Sequence, residues 1–210
     1  MPLKIDFHVH SNCSYDSAIT PKEIIYYARR SGLDGVAITD HDRIDCALKI
    51  ACENPFLIIA GIEISSLGGH IIAFGISEPI PKGRGVDETV DRIHEKGGIA
   101  VACHPSALFK ESLGRHVTSK FDAVEVVNSS SFPFSYCVKR NKALASTLGV
   151  PKVAGSDAHY GPEIGYAYTL VDAEPQETDV LLAIKKGLCK PVGRAIPFQI
   201  RLKRAIRTLT

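Results

Sequence analysis

Residues 3–10 of this 210-residue chain read LKIDFHVH, a short apolar run that ends in two histidines. The apolar run predicts a β-strand over residues 3–9. Because side chains two positions apart on a strand point to the same face, we expect His8 and His10 to project together. Paired imidazoles at the end of a strand stand where a parallel α/β barrel carries its active site.

Blocks of the same kind, with histidines and acidic residues in or after apolar runs, recur along the chain. They are Thr39-Asp40-His41, Gly61-Ile62-Glu63, Gly69-His70, Cys103-His104-Pro105 and Ser156-Asp157-Ala158-His159. A single histidine at the end of a strand is more often a packed or exposed residue, but imidazole and carboxylate together are ligands that divalent metals prefer. Burying so many of them without a metal would leave costly unpaired polar groups. The blocks therefore predict a multinuclear metal hydrolase.

Between these blocks, the sequence alternates strands with helices. Thr20, Pro21 and Glu23 predict a helix that begins with a capping box and a proline in the first position. Gly68 and Gly69, between two apolar runs, predict a hairpin and one antiparallel pair. Helices of this length between strands indicate βαβ units and a mainly parallel sheet. With about seven such strands and no G-x-G-x-x-G turn, the predicted fold is an α/β barrel rather than a doubly wound sheet.

Length and composition are those of a globular protein with one core. The chain is 45% hydrophobic and 23% charged, with a net charge of +2, which argues against a dominant nucleic-acid surface. We predict one barrel domain over residues 1–197 and a basic C-terminal helix over residues 198–210 that docks on the barrel. A nucleic-acid or subunit contact by this tail stays open, and the oligomeric state is not indicated.

The sequence also gives expectations about the compartment. It has no apolar stretch long enough to span a membrane and no signal peptide at its start, so we expect no membrane partner. Its six cysteines contain no C-x-x-C pair. We predict that they are reduced thiols and that the protein is cytoplasmic.

Other polar residues near the blocks have more than one reading. Asp16 lies in a polar segment, where it is either a turn residue or a ligand, and we favour a ligand. Asp6 and Asp40 are expected to orient imidazoles rather than bind metal. Glu125, on a strand, and Asn128 are expected to face the site or to support it.

The blocks D-x-H-x-H-S, T-D-H, G-x-E, a glycine-preceded histidine, H-P and S-D-A-H, in this order, resemble the PHP (polymerase and histidinol phosphatase) family of metal-dependent phosphoesterases. The resemblance extends from Asp6 to about Arg194. It implies a distorted (βα)7 barrel with two to three divalent ions, commonly manganese, zinc or iron, at the C-terminal ends of the strands.

The resemblance also implies which residues hold each ion. The first ion would be held by His8, His10, Glu63 and Asp157. Glu63 would bridge to a second ion, which His70 and His104 complete.

A third ion would be held by Asp16, His41 and His159, with Asp16 in a place where some family members have histidine. The resemblance implies that the attacking hydroxide bridges two ions, so that Glu63, His41 and His159 are the expected catalytic residues. His159 or His41 would protonate the leaving oxygen when the third position is empty.

The predicted function is hydrolysis of a small phosphomonoester, with nucleotides and nucleoside bisphosphates among the candidates. Phosphate esters suit such a site because several ions can neutralise the charge on the ester oxygens. The expected partner is thus a small phosphorylated substrate, and nucleic acid is not favoured. Two alternatives stay open: an amidohydrolase, which also uses H-x-H on a barrel strand, and a non-catalytic, metal-stabilised module that binds nucleic acid or another partner.

Overall fold

The computed structural model describes residues 1–209, so that the final position of the predicted tail helix, residue 210, lies outside the described residues. Nine strands occur within this range. They are β1 (Leu3–Val9), β2 (Gly35–Ile38), β3 (Leu57–Ser66), β4 (Gly69–Phe74), β5 (Ile99–Ala102), β6 (Ala123–Asn128), β7 (Lys152–Gly155), β8 (Ala167–Val171) and β9 (Cys189–Gly193). The helices are α1 (Pro21–Arg30), α2 (Asp45–Glu53), α3 (Val86–Glu95), α4 (Phe134–Leu148), α5 (Glu177–Lys185) and α6 (Phe198–Leu209).

The strands form one sheet in the order β7-β6-β5-β4-β3-β2-β1-β8-β9. The sheet curls so that β7 returns to the strands at the other side of the order. The backbone N–H of Asp157, just after β7, donates to the His8 carbonyl of β1 at 2.8 Å. The backbone N–H of Ala154 in β7 donates to Thr169 Oγ1 of β8 at 2.8 Å. The predicted α/β barrel is confirmed, in a nearly closed and distorted form.

The prediction that the sheet is mainly parallel is wrong. Of the eight pairings among residues 1–209, four are parallel and four are antiparallel. The hairpin between β3 and β4, which was predicted, reverses β4 and so makes both of its pairings antiparallel. The other two arise at the far edge, where β8 runs against β1 and β9.

Local sequence signals explain where the elements begin. Thr20 Oγ1 accepts the N–H of Glu23, and Glu23 Oε2 accepts the N–H of Thr20, so the predicted capping box opens α1. At the barrel interior, Phe7 packs edge-on against Phe74 with ring centroids 5.8 Å apart. Phe7, Phe74 and Cys103 belong to one buried apolar cluster. Because Cys103 directly follows β5, this cluster extends to the end of the barrel that carries the histidines.

The prediction that all cysteines are reduced is also wrong. Cys13 and Cys46 form a disulfide across 33 positions of sequence. The fold brings together the loop after β1 and the first turn of α2, a contact that no local cysteine pattern could signal. No helix within residues 1–209 combines the length and apolar character that crossing a membrane requires.

The C-terminal helix α6 contacts the barrel through its arginines. Arg201 donates to the backbone carbonyls of Ser129 and Ser130 at 2.9 and 3.1 Å. Arg204 Nη1 lies 3.3 Å from Glu163 Oε2. Arg201 and Arg204 therefore hold α6 against the barrel by polar contacts.

Candidate metal centre

The structure brings all nine ligands predicted from the sequence to one end of the barrel. These ligands come from seven segments of the chain. In five of them, the residues lie in the second half of a strand or directly after it, at β1, β2, β3, β5 and β7. His70 differs, since it lies near the start of β4. Because the hairpin reverses β4, the beginning of that strand meets the ends of its neighbours. Asp16 comes from the loop that follows β1.

A first group of ligand atoms consists of His8, His10, Glu63 and Asp157. The Nε2 atoms of His8 and His10 lie 3.1 Å apart. Each lies close to Glu63 Oε2, at 3.1 and 3.2 Å, and each is 3.6 Å from Asp157 Oδ1. All four side chains are buried. Two imidazole nitrogens and two carboxylate oxygens thus converge on one point.

A second group consists of the other Glu63 oxygen with His70 and His104. Glu63 Oε1 lies 2.9 Å from His70 Nδ1 and 3.0 Å from His104 Nε2. Cys103 Sγ lies 3.3 Å from the same oxygen. Burial raises the pKa of Cys103 well above its usual value, so its thiol stays protonated, with the His70 carbonyl at 3.0 Å and Glu63 Oε1 at 3.3 Å as its acceptors. The two oxygens of Glu63 therefore face two different sets of histidines.

A third group consists of Asp16, His41 and His159. Asp16 Oδ2 lies 2.8 Å from His159 Nε2 and 3.4 Å from His41 Nε2. His10 joins this group to the first, since its ring stacks on His159 with centroids 4.1 Å apart. The third group is the most accessible, with Asp16 30% exposed.

The carboxylates of the first group are held in their ionised form. Burial alone would raise the pKa of Glu63, but the surrounding histidines, led by His8, hold it well below its usual range. Burial acts in the same direction on Asp157, where Lys110 and His8 hold the pKa well below its usual range. Burial lowers the pKa of His8, but Asp157 and Glu63 outweigh it and raise that pKa well above its usual value. Ionised carboxylates are the form that binds cations.

Glu125 and Asn128 support the site from behind the ligands. Glu125 Oε1 lies 3.1 Å from His8 Nδ1, which turns His8 Nε2 toward the centre, and Glu125 Oε2 accepts the backbone N–H of His104 at 2.8 Å. Asn128 Nδ2 donates to Glu125 Oε2 at 2.9 Å and to Asp157 Oδ2 at 3.0 Å. A carboxylate on the far nitrogen of an imidazole fixes its tautomer and orientation.

The prediction that Asp6 and Asp40 orient imidazoles is wrong. Asp6 accepts the backbone N–H groups of Ser156, Gly165 and His8 at 2.7, 2.9 and 3.3 Å. Asp40 accepts the backbone N–H and the hydroxyl of Ser11, both at 2.6 Å. Both carboxylates thus fix the course of ligand-bearing loops through the main chain, a role that side-chain type alone does not indicate.

Two ligand positions have unusual backbone conformations. His104 has φ 33° and Asp157 has φ 57°, a region that residues other than glycine rarely adopt. The hydrogen bond from His104 N–H to Glu125 and that from Asp157 N–H to the His8 carbonyl hold these conformations. Such backbone strain is concentrated at functional sites in proteins.

A loop after β5 covers one side of the centre. Lys110 Nζ contacts Asp157 Oδ2, and Glu111 Oε2 lies 2.8 Å from His70 Nε2. Both residues line, with ligands of all three groups, an open cavity of about 220 Å³. Glu111 and Cys103 were not predicted as site residues. Cys103 precedes the predicted ligand His104, and Glu111 lies in the loop that follows it, but neither has a motif of its own.

The donor set fits divalent cations. Among the described residues, histidine, cysteine and acidic side chains form four overlapping sets. Within each set, the potential ligand atoms lie within 4.8 Å of one another. His41 Nδ1 is buried without a hydrogen-bond partner and lies 3.6 Å from Glu63 Oε2. A nitrogen lone pair that faces a carboxylate is favourable when a cation lies between them.

Sequence comparison relates this chain to a known family and to a protein of another organism. A family model described as PHP-associated matches residues 139–189. The uncharacterised protein MJ1587 of Methanocaldococcus jannaschii is 34% identical over 141 residues, which cover 60% of this chain and 82% of that protein.

Three solved structures share the fold. PsfC from Pseudomonas syringae superposes with a TM-score of 0.72 at 17% identity, and 99% of each chain is covered. A protein of Bifidobacterium adolescentis assigned to the metal-dependent phosphoesterases has a TM-score of 0.59 at 19% identity, over 75% of this chain and 88% of that one. An amidohydrolase from Chromobacterium violaceum has a TM-score of 0.61 at 19% identity, over 77% and 89%. At these identities the likeness is one of fold.

Proposed function

Because this chain belongs to the PHP-domain family, we propose that it is a metal-dependent hydrolase of phosphate esters and that small phosphomonoesters are its substrates. Nucleotides and nucleoside bisphosphates are among the candidate substrates. The observation that carries the proposal is the position of Glu63. One of its oxygens lies 3.1 Å from His8 Nε2, and the other lies 3.0 Å from His104 Nε2.

A carboxylate with this arrangement is suited to bridge two cations. In our proposal, the first group would hold one ion and the second group another. The third group would hold a third ion through Asp16, His41 and His159. The ions, which we expect to be manganese, zinc or iron, would supply a hydroxide nucleophile near neutral pH and neutralise charge on the ester oxygens.

Residues at the edge of the cavity would act on the substrate itself. The Lys110 ammonium lies in the cavity wall beside Asp157, from which it would bind the oxygens of a phosphoryl group. When the third group holds no ion, His159 or His41 would pass a proton to the leaving oxygen. The backbone N–H of His159 donates to Glu163 Oε2 at 3.0 Å, which keeps the residue in place at the rim.

The test is phosphate release by purified protein after loading with Mn²⁺, Zn²⁺ or Fe²⁺. The panel contains nucleoside mono- and bisphosphates, histidinol phosphate and an aryl phosphate, each with a chelator-treated control. We expect release from at least one class that disappears with chelator and returns when metal is added back. Metal-loaded protein that releases no phosphate from any member would contradict the proposal.

The amidohydrolase alternative is tested in parallel on amide substrates. The amidohydrolase from Chromobacterium violaceum has the same fold as this chain. Ammonia or carboxylate release without phosphate release would favour this alternative. If metal-loaded protein were inert in both assays and bound nucleic acid tightly, the non-catalytic module would be favoured instead.

A further inference from the structure

A second cavity adjoins the candidate metal centre on the side of α6. It measures about 200 Å³ and lies between the segment after β1, the start of α1 and the face of α6. Three of its lining residues, Tyr15, Asp16 and His159, also line the cavity of the metal centre. A substrate whose phosphoryl group occupied the metal centre would therefore have this second cavity directly beyond the third group.

Two arginines supply positive charge to the second cavity. Arg204 and Arg207 are three positions apart on α6, so they share one face of the helix, and both line the cavity. Arg204 pairs with the buried carboxylate of Glu163, which also accepts the N–H of His159. Arg207 Nη2 lies 3.8 Å from Glu23 Oε1. Because the Arg207–Glu23 pair is long and its side chains are accessible, a bound anion can compete for Arg207.

Aromatic and apolar side chains form the other walls. Tyr15 stacks on the His41 ring with centroids 5.0 Å apart, and its own ring is largely exposed. Tyr160 carries Arg207 over its ring face, with the guanidinium carbon 5.6 Å from the centroid. Ile19 completes the lining near α1. The combination of ring faces with guanidinium groups suits a planar ligand that carries an anionic group.

We propose that this second cavity is a leaving-group pocket, which selects phosphomonoesters whose leaving group is an aromatic ring with a second anionic substituent. The inference rests on the proposed function and deepens it. The ring would lie between Tyr15 and Tyr160, and the anionic group would pair with Arg207. The ester oxygen would then lie beside Asp16 and His159, at the boundary between the two cavities.

The test compares three substrates that share one ring: phenyl phosphate, 4-carboxyphenyl phosphate and 1,4-phenylene bisphosphate. We expect wild-type kcat/KM to be about tenfold or more higher for an anionic ring than for phenyl phosphate, in line with one charge-assisted contact. The variant Arg207→Met should lower this ratio by about tenfold. The matched control is Lys203→Met, because Lys203 is exposed on the same helix and is absent from the lining among the described residues.

Each outcome decides the inference. A preference for the carboxylate or for the bisphosphate identifies which anion the pocket takes. The proposal would be overturned if wild-type kcat/KM were about the same for the anionic rings and for phenyl phosphate. It would also be overturned if Arg207→Met and Lys203→Met lowered the preference for the anionic ring equally.

If no phosphate is released from any of the three, calorimetric binding of the same compounds tests the pocket by itself. The proposed function fails only if the full panel described above is silent as well. Weaker binding of 4-carboxyphenyl phosphate to Arg207→Met than to Lys203→Met would then support it. Equal binding to the two variants would overturn it.

Discussion

The first and third groups of the candidate metal centre are built in different ways. Glu63, at the centre of the first group, is 1% exposed, whereas Asp16 in the third group is 30% exposed. Ligands of the first group lie on or next to strands and are held by Glu125 and Asn128. Asp16 lies on a loop, where Ser14 Oγ donates to it at 2.8 Å. The barrel strands therefore fix the first group, whereas the third group depends on the loop that carries Asp16.

The largest effect is expected from loss of a buried ligand. His104→Gln should lower kcat/KM by about a thousandfold or more, because removing one ligand of a bridged pair loses several kcal/mol of transition-state stabilisation. The measurement is phosphate release together with metal content by mass spectrometry. His94→Gln, at an exposed position of α3 that pairs with Asp122, is the matched control. Similar activity in both variants would contradict the role of the second group.

A smaller loss is expected from the support behind the ligands. Glu125→Gln keeps the size of the side chain but removes the charge that faces His8 Nδ1 and the N–H of His104. We expect metal affinity to fall by about ten- to a hundredfold, measured by competition with a chelator of known affinity. If the affinity stayed at the wild-type value, the barrel alone would orient His8.

Much of this centre could be predicted from the sequence, for reasons of spacing. His8 lies near the end of β1 and His10 directly follows the strand, so the alternation of side chains along the strand was enough to predict that they project together. The position of His70 depended on the predicted hairpin. Cys103 was missed because a thiol that donates to a carboxylate leaves no pattern in sequence, and its contact with Glu63 depends on how two distant strands pack.

The same limit applies to the fold. The barrel class followed from alternating strands and helices, but β9 has little of the apolar alternation typical of strands and was not predicted. The disulfide between Cys13 and Cys46 joins segments that meet only in the folded barrel. The carboxylates of Asp6 and Asp40 bind main-chain N–H groups of distant loops, which sequence spacing cannot indicate.

A selective effect is expected in the third group. Asp16→Asn should remove one ion of the bound set and leave the two held by Glu63, since Asp16 contacts His41 and His159 rather than Glu63. We expect about a tenfold loss of activity. Metal titration followed by calorimetry would resolve the weakest site. Loss of all ions in this variant would show that the three groups depend on one another.

The smallest effect on metal binding is expected from the disulfide, which joins the segment of Asp16 to the segment that follows His41. Cys13→Ser with Cys46→Ser should weaken only the third ion, and by less than Asp16→Asn does. Unfolding free energy should fall by about 3 kcal/mol, the order expected when a cross-link of this length is removed. Urea denaturation of wild type, with and without a reducing agent, checks the second effect. Unchanged stability after reduction would contradict the cross-link.

The bridging role of Glu63 is the central claim, and counting metals in Glu63→Gln tests it most directly. The control is Glu95→Gln, at an exposed position of α3. Each protein is loaded with Mn²⁺, freed of excess metal and measured by mass spectrometry, with circular dichroism to check folding. We predict that folded Glu63→Gln loses the ions of the first and second groups together, while Glu95→Gln keeps the wild-type number. A folded Glu63→Gln protein with the wild-type metal count would contradict the account.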